Sequence, residues 1–64
     1  MSNRIIATQH AIDAHRDAMQ EFDLDTEQQV IDLITSLRSY CDACDLDFTG
    51  IVRSSKIQHQ QLQE

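Results

Sequence analysis

Two cysteines separated by two residues are the first feature of this sequence that could carry chemistry. Cys41 and Cys44 form a C-x-x-C pattern, which in redox enzymes lies at a helix N-terminus, where the helix dipole stabilises the thiolate. Here the pattern falls at the C-terminal end of a predicted helix beside Asp42 and Asp45, and both features oppose thiolate formation. Because buried cysteine behaves as a small hydrophobic residue, we predict a packing role, with redox and metal-binding roles as alternatives.

The three histidines, His10, His15 and His59, are the other side chains that could complete a zinc site. His10 and His15 are five residues apart, a spacing that does not place both on one helical face. No second paired motif accompanies the cysteines, as a structural zinc site would require. We expect no metal ion, and we interpret His15, which has Ile12 and Met19 at helical spacing, as a half-buried histidine.

Asp23, Asp25 and Glu27 resemble the opening of a calcium-binding loop. Such a loop also needs a glycine and a closing glutamate, but Gln28 and Ile34 occupy those places. We expect these acids to cap a helix and to lie in a solvated turn. The sequence also contains no phosphate-binding loop and no nucleophile elbow, so we predict neither an enzyme nor a cofactor.

The elements that would position these residues are predicted to be helices in one domain, 1–64. The chain has no proline and one glycine, Gly50, which leaves long stretches free to be helical. Hydrophobic residues make up 41% of the sequence, too many for a disordered tail. The aromatic residues are few and long β-branched runs are missing, which argues against a β protein.

Apolar residues at spacings of three and four predict helices at about 3–22, 26–44 and 47–60. The second helix carries what we call the apolar stripe, formed by Val30, Leu33, Ile34, Leu37, Tyr40, Cys41 and Cys44. The other predicted core or interface residues are Ile5, Ile12, Met19, Phe22, Phe48, Ile51 and Val52.

Polar residues at the predicted helix starts are typical of caps. Ser2 or Asn3 can cap the first helix, and Thr26 with Gln29 matches the capping-box pattern of the second. Asp47 is the predicted cap of the third helix. The two connections, at 23–25 and 45–47, have the same Asp-Leu-Asp sequence, in which an aspartate caps the next helix and the leucine packs beneath it.

Short connections make successive helices antiparallel, so the predicted fold is all-α, a three-helix up-down-up array. Two helices are long, and the third is shorter, with a fraying end at 58–64. The apolar stripe is wider than one partner helix can cover. We therefore predict a homodimeric helical bundle.

The net charge of −6 disfavours direct binding to nucleic acid, because phosphate backbones repel an acidic protein. The N-terminal stretch is not typical of a secretory signal, and no apolar run is long enough to span a membrane. Free cysteines fit a reducing compartment. We accordingly expect a cytoplasmic protein, in the host cell if a phage encodes it.

The segment 28–59, QQVIDLITSLRSYCDACDLDFTGIVRSSKIQH, carries D-L-x-x-x-L-R-x-Y in one helix and an L-D-F turn before the next. It resembles small acidic helical proteins of phages and other mobile elements, over about half of the chain. The resemblance implies an accessory protein that inhibits or modulates a host or defence protein.

The same segment is similar to the C-terminal half of MazG-like nucleotide pyrophosphohydrolases, which are all-helical, dimeric and magnesium-dependent. The resemblance would make Asp32 the last acid of the family's metal motif. Gln28 and Gln29 stand where a glutamate would be expected, and the first helix offers Asp13 and Asp17 with Glu21 in place of E-x-x-E. The similarity therefore implies the fold and the dimer rather than the catalysis.

The leading hypothesis is a small accessory protein that dimerises and acts by binding a protein partner. One alternative is a degenerate or minimal MazG-like pyrophosphohydrolase. The other is an acidic mimic of nucleic acid, or an oligomer that sequesters a small ligand.

Overall fold

The computed structural model describes residues 2–62, and these form three helices and no strand. They are α1 (Asn3–Met19), α2 (Thr26–Ala43) and α3 (Phe48–Gln60). The all-helical prediction is confirmed. Met1 and the last two residues of the predicted fraying segment lie outside the described part of the chain.

The first helix ends three residues earlier than predicted. Gln20 has a φ of 58°, which places it in the left-handed region, and its N–H donates to the Asp17 carbonyl. The Glu21 N–H donates to the Arg16 carbonyl, so a Schellman motif ends α1. The prediction that Phe22 lies on a helical face is therefore wrong, because Phe22 falls in the turn that follows and is exposed.

The second connection repeats the same geometry. Asp45 also has a φ of 58°, and its N–H donates to the Asp42 carbonyl, while the Leu46 N–H donates to the Cys41 carbonyl at 2.8 Å. Both helices thus end through a left-handed residue that is not glycine. This explains how two sharp turns occur in a chain with so little glycine.

The cap of α2 is Asp25, and the prediction that Thr26 caps this helix is wrong. The Asp25 carboxylate accepts a hydrogen bond of 2.8 Å from the Gln28 N–H, which is the usual geometry of an N-cap. Gln29 contributes differently from a capping box, since its side-chain amide donates to the Leu24 carbonyl. Thr26 is the first residue inside the helix.

The other two helix starts are as predicted in position. Ser2 caps α1 by accepting a hydrogen bond from the Ile5 N–H. Asp47 holds the N-cap position of α3 and its carbonyl accepts from the Ile51 N–H, but its carboxylate makes no capping hydrogen bond. The carboxylate instead lies beside Gly50, where a Cβ would meet it.

The described helices form a thin, open layer with very little interior. The structure measures 34 × 33 × 16 Å, and its shortest dimension is only about one and a half helix diameters. α1 packs on α2 and α2 packs on α3. Among residues 2–62, the only buried hydrophobic side chains are Ile12 and Cys41, at 9% and 6% exposure.

Candidate functional site

A polar cluster joins the first two helices. Nε2 of His15 in α1 lies 2.8 Å from Oγ of Ser36 in α2. Nδ1 of the same ring lies 3.7 Å from Oδ2 of Asp32, one turn before Ser36. His15 is half-buried, as predicted, and both ring nitrogens face polar atoms of α2.

The three side-chain types of this cluster are those of a serine nucleophile with its base and its orienting acid. That chemistry also requires donors for an oxyanion and room for a substrate. Ser36 lies in the middle of α2, where backbone N–H groups are engaged within the helix. The cleft beside His15 and Asp32 leaves no space for a water molecule, so the geometry supports a link between helices.

Sequence reasoning missed this cluster because its members lie 21 positions apart along the chain. The available signal was the pair Asp32 and Ser36, which are four residues apart and therefore share one helical face. A half-buried histidine on the preceding helix could have been matched to that face.

The four acids compared with the MazG-like metal motif do not converge on one site. Asp32 faces His15 and lines one cleft with Glu21, whereas Asp13 and Asp17 lie 3.6 and 3.2 Å from the guanidinium of Arg16. Glu21 follows in the turn after α1. No group of three or more potential metal ligands occurs within residues 2–62.

The two cysteines have different environments. Cys41 is buried, whereas Cys44 is exposed at the C-cap of α2, and neither forms a disulfide. The prediction that both pack into an apolar surface is therefore wrong for Cys44 within this single chain. The helix ends one residue before Cys44, so this residue leaves the stripe as the turn begins.

Most of the apolar stripe is uncovered. Val30, Ile34 and Leu37 are 38%, 44% and 48% exposed, although they occupy the centre of the stripe. Leu33 is partly covered, and Tyr40 at the edge is also exposed. The predicted interface residues on the other helices are largely exposed too, namely Ile5, Met19, Ile51 and Val52, and Phe48 is partly covered.

The apolar stripe is open because of the position of α1 on α2. The side of α2 that meets α1 carries the polar residues Asp32 and Ser36. Successive residues advance by about 100° around a helix, which places these two roughly a third of a turn or more away from Ile34 and Leu37. α1 therefore packs beside the apolar stripe and leaves it open.

A second apolar surface lies on α3. Ile51, Val52 and Ile57 are exposed there, and a shallow groove runs past Leu46, Gly50 and Ile51. α3 contains Arg53 and Lys56 and no acidic residue. No helix in the described part of the chain has the length and hydrophobicity to cross a membrane.

Comparisons with protein-family models, with curated proteins and with solved structures found no match to this chain.

Proposed function

We propose that this protein works by association: it forms a homodimer through its exposed apolar surface, and the dimer binds a protein partner. The observation that carries the proposal is the imbalance between two buried hydrophobic residues and the large ones left exposed. Within positions 2–62, the exposed large hydrophobic side chains are Ile5, Ile6, Met19, Phe22, Val30, Ile31, Ile34, Leu37, Tyr40, Leu46, Ile51, Val52 and Ile57.

The exposed area supports a second copy as the first partner. A compact chain of 7.4 kDa exposes about 4,200 Å², whereas this chain exposes 5424 Å². The excess of about 1,200 Å² is larger than the roughly 800 Å² that each side buries in a standard interface. Small domains commonly gain missing stability by oligomerisation, and the described residues, 2–62, contain neither a disulfide nor a large core that would supply it.

The charge of the chain supports a basic surface on the protein partner. The net charge is −6, and acidic residues are concentrated around the two turns, at 21–27 and 42–47. Such a field attracts a positively charged surface and speeds association with it. The same field repels a second copy, so the dimer contact must lie on an uncharged strip.

The resemblance of 28–59 to phage and mobile-element proteins supports the biological setting. In this proposal the chain is an accessory protein that inhibits or modulates a host or defence protein in the cytoplasm. Its helices form an up-down-up array, and two such arrays build the bundle.

Sedimentation equilibrium tests self-association. The natural chain is expected to have twice its mass of 7.4 kDa at micromolar concentration, and Leu37→Asp is expected to be monomeric, since a charge on the apolar stripe would have to be buried unpaired. Ser39→Asp is the matched control, because Ser39 is exposed and bonds only to the Thr35 carbonyl of its own helix. A helical, monomeric natural chain would contradict the proposal.

Salt dependence separates the two kinds of binding. Added salt screens the repulsion between two acidic chains and should tighten the dimer, whereas it should weaken binding to a basic partner. Binding to a protein partner is tested by cross-linking in host cells, with the natural chain and with Leu37→Asp. Each purified candidate partner is then titrated with the protein. A partner that binds equally well at low and high salt would argue against recognition by charge.

A further inference from the structure

We propose that the apolar stripe of α2 pairs with the same stripe of a second copy in an antiparallel arrangement, with the two-fold axis beside Ile34. This inference rests on the self-association proposed above. It adds the surface, the orientation and the register of the pair.

The spacing of the stripe fits a helix of the same kind as its partner. Val30, Ile34, Leu37 and Cys41 alternate between spacings of four and three, which is the seam of a two-stranded helical pair. Cys41 is already buried within the chain, whereas the three residues before it are open. The open part of the seam therefore runs from Val30 to Leu37 and is centred on Ile34.

The charges along this open part are already engaged inside the chain. Between positions 30 and 38 the charged residues are Asp32 and Arg38. Asp32 is turned toward His15 of α1, and the Arg38 guanidinium lies 4.4 Å from the centre of the Phe48 ring. Two copies can therefore approach along this strip without burying an unpaired charge, despite the net charge of −6 on each.

The C-terminal end of the apolar stripe, where Cys41 is already occupied within the chain, decides the relative orientation of the two α2 helices. Cys41 is buried and the Arg38 guanidinium lies over the Phe48 ring, so the stripe is occupied at Cys41, although Tyr40 and Cys44 at this end are exposed. In a parallel pair the two occupied Cys41 positions would lie side by side, and the side chains that cover them would keep the two α2 helices apart. An antiparallel pair instead places each covered end beside the open first turns of the other α2, and it aligns the helix dipoles favourably.

Cross-linking with a short bismaleimide, monitored together with sedimentation, tests the arrangement. Ile34→Cys in a Cys41→Ala, Cys44→Ser background places one thiol of each copy beside the axis, and we expect it to give cross-linked dimer. In the antiparallel dimer of a Cys41→Ala chain, the two natural Cys44 thiols would be about 30 Å apart. We therefore expect no cross-link through Cys44. Ser39→Cys in the double background is the control on an exposed face.

The outcomes are distinguishable. Efficient cross-linking through Cys44 means a parallel pair and overturns the inference. A dimer by sedimentation in which Ile34→Cys does not cross-link means another surface, which also overturns the inference but leaves the proposed self-association intact. A monomer by sedimentation in the natural chain overturns both.

Discussion

Nε2 of His15 lies 2.8 Å from Oγ of Ser36, and this contact joins α1 to the side of α2 that carries Asp32 and Ser36. It connects two helices in a chain whose described residues bury only Ile12 and Cys41 among their hydrophobic side chains. With so small a core, one hydrogen bond between helices is a sizeable part of what holds α1 in place. The apolar stripe is open because a different side of α2 faces α1.

Replacing Ser36 with alanine removes this link. We expect the free energy of unfolding to fall by about 1 kcal/mol, the usual worth of a partly buried hydrogen bond. Ser39→Ala is the matched control, because its hydroxyl bonds only within α2 and the change in helix propensity is the same. Urea unfolding followed by circular dichroism, at one protein concentration for both variants, measures the difference. Equal stability of the two variants would show that the contact contributes nothing.

The cap of α2 can be tested in the same way. Asp25→Ala is expected to lower the free energy of unfolding by about 1 kcal/mol, because the Gln28 N–H loses its acceptor. Thr26→Ala should change stability by less than about 0.5 kcal/mol, since Thr26 lies inside the helix and caps nothing. A larger loss of stability for Thr26→Ala than for Asp25→Ala would show that Thr26 is the cap. Thermal unfolding of both variants is sufficient to decide.

The left-handed residue that ends α1 predicts an unusual effect of glycine. Gln20→Gly should raise the free energy of unfolding by roughly 0.5 kcal/mol, because glycine adopts a φ of 58° without the penalty that a side chain incurs. Ala18→Gly, two residues earlier and helical, should instead lower it by about 1 kcal/mol. Chemical unfolding of the two variants measures the sign of the change in unfolding free energy for each. A loss of stability with Gln20→Gly would mean that the turn is not left-handed in solution.

The difference between the cysteines predicts two rates of thiol labelling. With Ellman's reagent the exposed Cys44 should react at once, and the buried Cys41 should react only when the structure opens. Cys44→Ser should remove the fast phase, and Cys41→Ala should remove the slow one. Denaturant should merge the phases in the natural chain. Two fast thiols in the folded protein would contradict the burial of Cys41.

The residues placed on helices follow from local rules and were predictable. Spacings of three and four indicate α2 over nearly its whole observed length, and aspartate at the two connections indicates where the next helix starts. The end of α1 was not predictable in this way. Gln20 carries no signal of a left-handed conformation, unlike the glycine or asparagine that usually marks such a turn.

The sequence by itself determined that the chain is helical and that α2 has an apolar stripe, because both depend on neighbours three or four residues away. Only the tertiary structure decided that His15 pairs with Asp32 and Ser36, since those contacts depend on how two helices are rotated against each other. That rotation has few buried side chains to specify it, so the contact of His15 with Ser36 acts beside the burial of Ile12. The same rotation is also what leaves Ile34 and Leu37 exposed.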